Sequence, residues 1–398
     1  MKRRIFLGRG SAALAALSPL AAASACEVVP AAGFAPPPTL APIRAQPDRL
    51  IDIAVCTRPF RPQGPRIEAE RRAGRTIVHN YGHGGSGWSL SWGSARAALP
   101  LILATREPRI AIVGCGAIGL TTARVAQRAG LKVRIYCKER PPEVRSSAAT
   151  GVWSPDSRLC AEEHATPAFA AAWEAMARAS FKTYQSLLGL PGEPVAWHDG
   201  YVLSDEPFDQ PVPGASGGQG HSAEPEYAEL EPRIRELWPR SQLLQAHEHP
   251  FPVPHVRRYT QLVFNLASYS RLLMDDFLRE GGEIVQREFT SPRQFASLRE
   301  RTVVNATGYG ARALFGDDTI VPVRGQTARL IPQPEVDYGL LWRGHNLAVV
   351  PRRDGILVQA QGEHDFGDDS VVPDRAASEA AVLRLAALFP PQAARSRA

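Results

Sequence analysis

Six residues constrain this chain more than any others: Gly114-Cys115-Gly116-Ala117-Ile118-Gly119. They follow a short β-branched run, Arg109-Ile110-Ala111-Ile112-Val113, and precede an Ala-rich stretch from Leu120 to Ala129 that suits a helix. Gly130 then ends the helix ahead of a second apolar run, Lys132 to Tyr136. Strand, glycine turn, helix and strand in this order make a β-α-β unit. The glycines let the backbone turn tightly and approach a pyrophosphate, whose charge then rests on the helix N-terminus. The expected fold is therefore α/β with a Rossmann-like nucleotide domain, and all six turn residues are candidate cofactor contacts.

The acid that grips a ribose should close the second strand, where the sequence reads Cys137-Lys138-Glu139. Glu139 is the nearby candidate; Lys138 can instead face a phosphate. The small-residue segment Arg145 to Trp153 offers hydroxyls and a guanidinium suited to a long dinucleotide, with Arg145, Ser146, Thr150 and Gly151 as candidate contacts. Farther on, Glu283 to Phe289 reads as a strand, and Thr302 to Gly308 as another ending in a glycine turn, which adds Phe289 and Thr307. A distant strand returning to a β-α-β unit is the arrangement of FAD-dependent oxidoreductases, so these segments favour FAD over NAD.

Four further motifs resemble the D-amino acid oxidase family: Arg58-Pro59-Phe60-Arg61-Pro62, the run Thr76-Ile77-Val78-His79-Asn80-Tyr81-Gly82-His83-Gly84-Gly85-Ser86-Gly87-Trp88, Asn305-Ala306-Thr307-Gly308, and Pro322-Val323-Arg324-Gly325-Gln326. The resemblance implies a Rossmann-like FAD-binding domain interleaved with a mixed β-sheet substrate domain. It implies FAD-dependent oxidation of a D-amino acid or related amine, a small-molecule substrate, with hydride passing from Cα to the flavin and oxygen reduced to hydrogen peroxide. Arg58 takes the position of the arginine that binds the substrate carboxylate, a task suited to a planar bidentate fork; Arg61 and Arg66 are expected to be structural. Gly84, Gly85, Ser86, Gly87, Trp88 and Ser89, ahead of a helix starting near Ser89, offer backbone N–H groups and a positive dipole end to the flavin. The family's substrate tyrosines are absent, with Gly344 and Ala348 in their places and Tyr201, Tyr259 and Tyr309 as alternative phenols. The motif order also differs: the first two motifs stand near the family's C-terminus but precede the nucleotide strand here, as in a circularly permuted chain.

Of 46 basic residues, Lys2, Arg3, Arg4 and Arg9 lie in the first 26, which hold no acid. Without those four the chain has 42 basic against 40 acidic residues, so no nucleic-acid partner is expected. Arg3-Arg4 before Ile5-Phe6-Leu7 and an Ala-rich run to Ala25 resembles a twin-arginine export signal, which places the mature protein in the periplasm or anchored outside the cytoplasm. Cys26 after Ala23-Ser24-Ala25 either follows a cleavage site or accepts a lipid anchor. An anchored flavoprotein passing electrons to a membrane quinone, and a binding module that keeps the fold without catalysis, are the competing functions. The layout is then an export signal over 1–26, a Pro-rich tether over 27–49 and the oxidoreductase unit over 50–398. FAD-binding segments are expected at about 70–155 and 280–315, and the substrate domain at about 156–280 and 318–375. No metal site is expected. Cys115 and Cys137 are expected to be buried free thiols.

Overall fold

The computed structural model describes residues 40–210, 224–360, 362 and 365–389. The export signal, Cys26 and the Gly-rich run from Pro213 to Gly220 lie outside the described residues.

The nucleotide unit forms as its sequence requires. Strand β4 (Arg109–Val113) leads through the glycine turn into helix α2 (Ala117–Arg128) and returns as β5 (Lys132–Cys137), parallel to β4. Beside them stand β2 (Arg66–Arg72), β3 (Arg75–Tyr81), β9 (Glu283–Gln286) and β10 (Thr302–Asn305), in the spatial order β2-β3-β10-β4-β5-β9. All neighbours are parallel except the antiparallel edge strand β2. β4 is buried on both faces, as a central parallel strand must be. Its Ile110 and Ile112 enter the core beneath the helices, whereas Ala111 and Val113 enter a second core with Phe289, Phe295 and Phe315.

The second sheet is mixed. It comprises β1 (Leu50–Phe60), β6 (Val195–Ser204), β7 (Gln242–Leu244), β8 (His255–Phe264), β11 (Val321–Leu330), β12 (Tyr338–Trp342), β13 (Leu347–Arg352) and β14 (Gly355–Gln359), in the order β1-β11-β14-β13-β12-β6-β8-β7. β12 and β6 run parallel and the other neighbours antiparallel. The α/β class and the mixed second sheet agree with the sequence reading.

Three expectations need correction. Helices α3 (Pro167–Gln185) and α4 (Leu266–Arg279) fall in the segment assigned to the substrate side, yet pack on α1 (Gly87–Leu103) and α2 over the nucleotide sheet. The cause is α1, whose first half is buried nearly all round and needs cover on its outer side. α3 supplies that cover at close range, because a Cβ on Gly93 would stand 2.0 Å from the Met176 carbonyl oxygen and the Gly93 N–H donates to Ser180 Oγ at 2.8 Å. The tether does not extend to residue 49: Ile43 and Ala45 are buried in the core of the second sheet, and the Ala41 carbonyl accepts from Tyr338 Oη at 2.7 Å. Its apolar residues from Leu40 onward outweigh the local proline content. Finally, the strand expected over Glu283 to Phe289 stops at Gln286, and the following residues turn toward the cavity described below.

The last described helix, α6 (Arg375–Ala386), packs against β1, β11 and β14. The last described segment thus meets the strand that begins at Leu50, with Leu385 and Leu388 in the same core as Ile43.

Candidate active site

Five parallel strands point their carboxyl ends one way, and β10 lies between β3 and β4. Such a switch in strand order opens a crevice outside the strand ends. Here it becomes a cavity of about 850 Å³ lined by loop residues that follow β3, β4, β5, β9 and β10. Residues of the mixed sheet close its far end, among them Arg58, Thr327, Ala348 and Gln359.

The first glycine turn fits a pyrophosphate. Gly114 has φ +114°, donates its N–H to the Tyr136 carbonyl at 2.9 Å, and leaves no room for a Cβ, which would stand 2.4 Å from the Ala306 oxygen. α2 starts at Ala117 with no side-chain cap; the Ala117 N–H donates only to Ser146 Oγ, at 3.2 Å, among the described side chains. A Cβ on Gly116 would meet only the Ser146 side chain within 4 Å, so the helix end is open to an anion. Of the candidate contacts, Cys115, Ala117, Ile118, Lys138, Glu139, Arg145, Ser146, Thr150, Gly151, Phe289 and Thr307 line the cavity with Gly114 and Gly116. Lys138 is paired with Glu288 at 3.1 Å, and Arg145 lies over the Tyr309 ring at 4.8 Å. Gly119 does not line it. A Cβ there would stand 2.0 Å from the Gly114 oxygen, so Gly119 serves the close packing of turn and helix.

The second glycine turn stands opposite, at the start of α1. Gly84, Gly85, Gly87, Trp88 and Ser89 line the cavity, but Ser86 does not. Its hydroxyl sits by the Ser154 and Ser157 carbonyls, at 3.1 and 3.0 Å, and fastens the turn from behind. Gly85 adds an N–H bond to the Ser157 oxygen at 3.0 Å. Trp88 Nε1 donates to the Ser146 carbonyl at 2.8 Å, which links the two glycine turns. Behind them runs a buried polar chain: Ser94 donates to Asn80 Oδ1 and so accepts from His83 Nε2–H at 2.7 Å, while Asn80 Nδ2 donates to Thr122 Oγ1 on α2 at 3.2 Å. Burial pushes the His83 pKa down to about 3, so the ring is neutral at ordinary pH.

Arg58 lies at the other end. The pairing of β1 with β11 sets Cys56 opposite Gly325 and Thr57 opposite Arg324. Arg58 Nη1 donates to the Arg324 carbonyl at 2.7 Å, and the guanidinium lies where a Cβ on Gly325 would be, 2.5 Å from Nη2. The glycine of the Pro322 to Gln326 motif therefore makes room for Arg58. Arg61 and Arg66 are structural, as expected: Arg61 pairs with Asp317 at 3.3 Å, and Arg66 Nη1 donates to Tyr81 Oη at 3.0 Å.

Arg158 is a cavity residue that sequence reasoning missed. It is 7% exposed, has φ +45°, pairs with Glu224 at 3.7 Å and lies over the Tyr227 ring. Burial first, and then the charge of Arg58, lower its pKa. Nothing in its sequence setting separates it from a surface arginine. Of the three alternative phenols only Tyr309 lines the cavity; Tyr201 is buried against Phe251 and Tyr338, and the Tyr259 ring packs over Gly200.

The sequence profile of the family described as "FAD dependent oxidoreductase" (DAO) matches residues 109–398. The chain belongs to this family. Its cofactor is FAD, and both glycine turns fit it. This oxidoreductase is 27% identical over 293 residues to the D-amino-acid oxidase of Dictyostelium discoideum, covering 72% of this chain and 74% of that relative. The D-amino-acid oxidase of Streptomyces coelicolor is 29% identical over 293 residues, with 72% and 79% covered. Among solved structures, glycine oxidase from Geobacillus kaustophilus aligns over 71% of this chain and 78% of its own, at 18% identity and a TM-score of 0.49.

The buried His83 gives this oxidoreductase a pH signature. Its folded pKa of about 3 lies below the ordinary histidine value of 6.5, so the unfolded chain binds more protons between those values and stability falls as pH drops through that window. The thermal midpoint of the wild type should fall more steeply from pH 6.5 to 4 than that of His83→Gln. Equal slopes would show that His83 is not held neutral.

Proposed function

We propose that this enzyme oxidises the α-carbon of a D-amino acid, with oxygen as final acceptor and hydrogen peroxide as product. Arg58 carries the reading: it projects from a rigid strand into the far end of the cavity whose other walls are the two FAD turns. Bound FAD supplies the hydride acceptor. The protein's own part is to bind and orient. Arg58 holds the substrate carboxylate by a bidentate contact, its guanidinium anchored by Nη1 on the Arg324 carbonyl. The uncapped start of α1 offers N–H groups to charge that develops on the cofactor. Ala348 lines the cavity, and Gly344 sits in the turn before β13 with φ +75°. Without phenols there, the site admits a bulkier side chain, and Thr327 and Gln359 provide polar contacts for it.

Arg58→Ala should leave FAD binding and the visible spectrum intact while lowering kcat/KM for amino acids by roughly 30-fold to several thousand-fold, since a buried charge-assisted contact is worth about 2–5 kcal/mol. Arg58→Lys should recover only part of the loss. Gly325→Ala, which crowds the guanidinium, should raise KM in the same direction. If Arg58→Ala strips the flavin, or slows carboxylate-free amines equally, Arg58 belongs to the scaffold.

We also propose that the chain is a circular permutant. The family match begins at the first residue of β4, yet the preceding segment supplies β1 to one sheet and β2 and β3 to the other. The packing of α6 on β1 supports a former junction there. A chain starting at residue 109, with residue 389 joined to residue 40 by a short linker and ending at residue 108, should fold and bind FAD as the natural order does; failure to fold would count against permutation.

The twin-arginine reading of Arg3-Arg4 supports an extracytoplasmic location, because that route carries folded, cofactor-loaded proteins. Replacing both with Lys should leave the precursor in the cytoplasm. Unimpaired export would remove the proposal.

A further inference from the structure

The far end of the cavity carries a second arginine. Arg58 and Phe60 lie two residues apart on β1 and so share one face of that strand. The Phe60 ring packs edge-to-face on Tyr227, with centroids 5.2 Å apart, and the guanidinium carbon of Arg158 lies 5.7 Å from the centre of the same Tyr227 ring. Arg158 thus stands beside the face of β1 that carries Arg58, and both residues line the cavity. Its backbone is fixed to the second glycine turn. A Cβ on Gly84 would stand 1.7 Å from the Arg158 carbonyl oxygen, and the Ser157 carbonyl accepts from the Gly85 N–H and the Ser86 hydroxyl, each at 3.0 Å. The turn that carries Arg158 and the turn that faces the flavin therefore move as one.

Charge decides what suits this end. Among the described residues Arg58 and Arg158 contribute two positive charges, and Glu224, paired with Arg158 at 3.7 Å but outside the cavity lining, offsets one. The described acids that do line the cavity are Glu139 and Glu288, which follow β5 and β9, and Glu288 is paired with Lys138 at 3.1 Å. A neutral amino acid, whose carboxylate and ammonium cancel, leaves one positive charge unbalanced. An amino acid with a side-chain carboxylate brings one net negative charge and closes the balance, which matters because an uncompensated buried charge is costly. Arg158 feels the surplus: after burial, the charge of Arg58 is the next cause that lowers its pKa. We propose that Arg158 binds a second carboxylate and that the substrates are D-amino acids with an acidic side chain, Arg58 holding the α-carboxylate and Arg158 the distal one; this rests on the oxidase reading above.

The test compares acids with their amides, which match in shape and differ in charge. The FAD-bound wild type should oxidise D-aspartate or D-glutamate with kcat/KM roughly tenfold or more above D-asparagine or D-glutamine. In Arg158→Met that ratio should fall by about 30-fold, because Glu224 is then left unopposed against the acid. Arg158→Lys should lose less, since the charge remains without the fork. A purely structural role would slow acid and amide alike and leave the ratio unmoved. Succinate and succinamate give the same comparison without turnover and with the wild type alone, so it holds even if neither variant folds. Succinate should perturb the visible flavin bands at roughly one tenth or less of the concentration that succinamate needs. The proposal fails if the wild type handles acids and amides equally, or if the ratio in Arg158→Met does not move. Flavin that no amino acid reduces, in an enzyme that still prefers succinate, would overturn the oxidase reading and leave the two-carboxylate site. Oxidation of neutral D-amino acids with no preference for succinate would overturn the site alone.

Discussion

The placement of β10 between β3 and β4 is the constraint on which the rest of the site depends. Hydrogen bonding on both sides of this four-residue strand holds the end of β3 beside the end of β4, although α1 and the whole of its connection separate them in sequence. Two glycine turns that would otherwise be unrelated thereby share one cavity. The Ala306 carbonyl just beyond β10 approaches Gly114 so closely that any side chain there would collide. The buried contacts among Asn305, His79, Asn80, Ser94 and His83 lock this arrangement. Those groups are worth most when all are paired, because an unpaired polar atom in so dry a place costs about 1–3 kcal/mol.

From this constraint follows the division of labour between the two sheets. The parallel sheet presents backbone: open helix ends, glycines and N–H groups, which suit phosphates and a flavin. The mixed sheet presents side chains, above all Arg58, held against Gly325 by the register of β1 on β11.

How much of this was legible depended on whether the information was local. The β4, glycine turn, α2 and β5 sequence could be read because a tight turn beside a phosphate tolerates only certain residues at fixed spacing, and the structure keeps those boundaries to within a few residues. Arg58 was legible only through its motif; that Gly325 makes its space required the register. That Ser86 and Gly119 do not line the cavity was not legible, because spacing shows which residues enter a turn, not which side of it they face. The allegiance of α3 and α4 and the packing of residues 40–49 were invisible for another reason: each depends on which distant surface needs cover, as the close approach at Gly93 shows. Arg158 falls in the same class, since its neighbours Glu224 and Tyr227 lie far along the chain.

The central claim is that FAD held by the two glycine turns accepts hydride from an amino acid gripped at the opposite end. Anaerobic titration of the purified enzyme with matched D- and L-amino acids, followed by the visible flavin bands, tests it most directly. The account predicts that D-enantiomers bleach the bands, that L-enantiomers do not, and that admitting air restores them with one peroxide formed per substrate oxidised. Flavin that no D-amino acid bleaches, or that both enantiomers bleach alike, would contradict it.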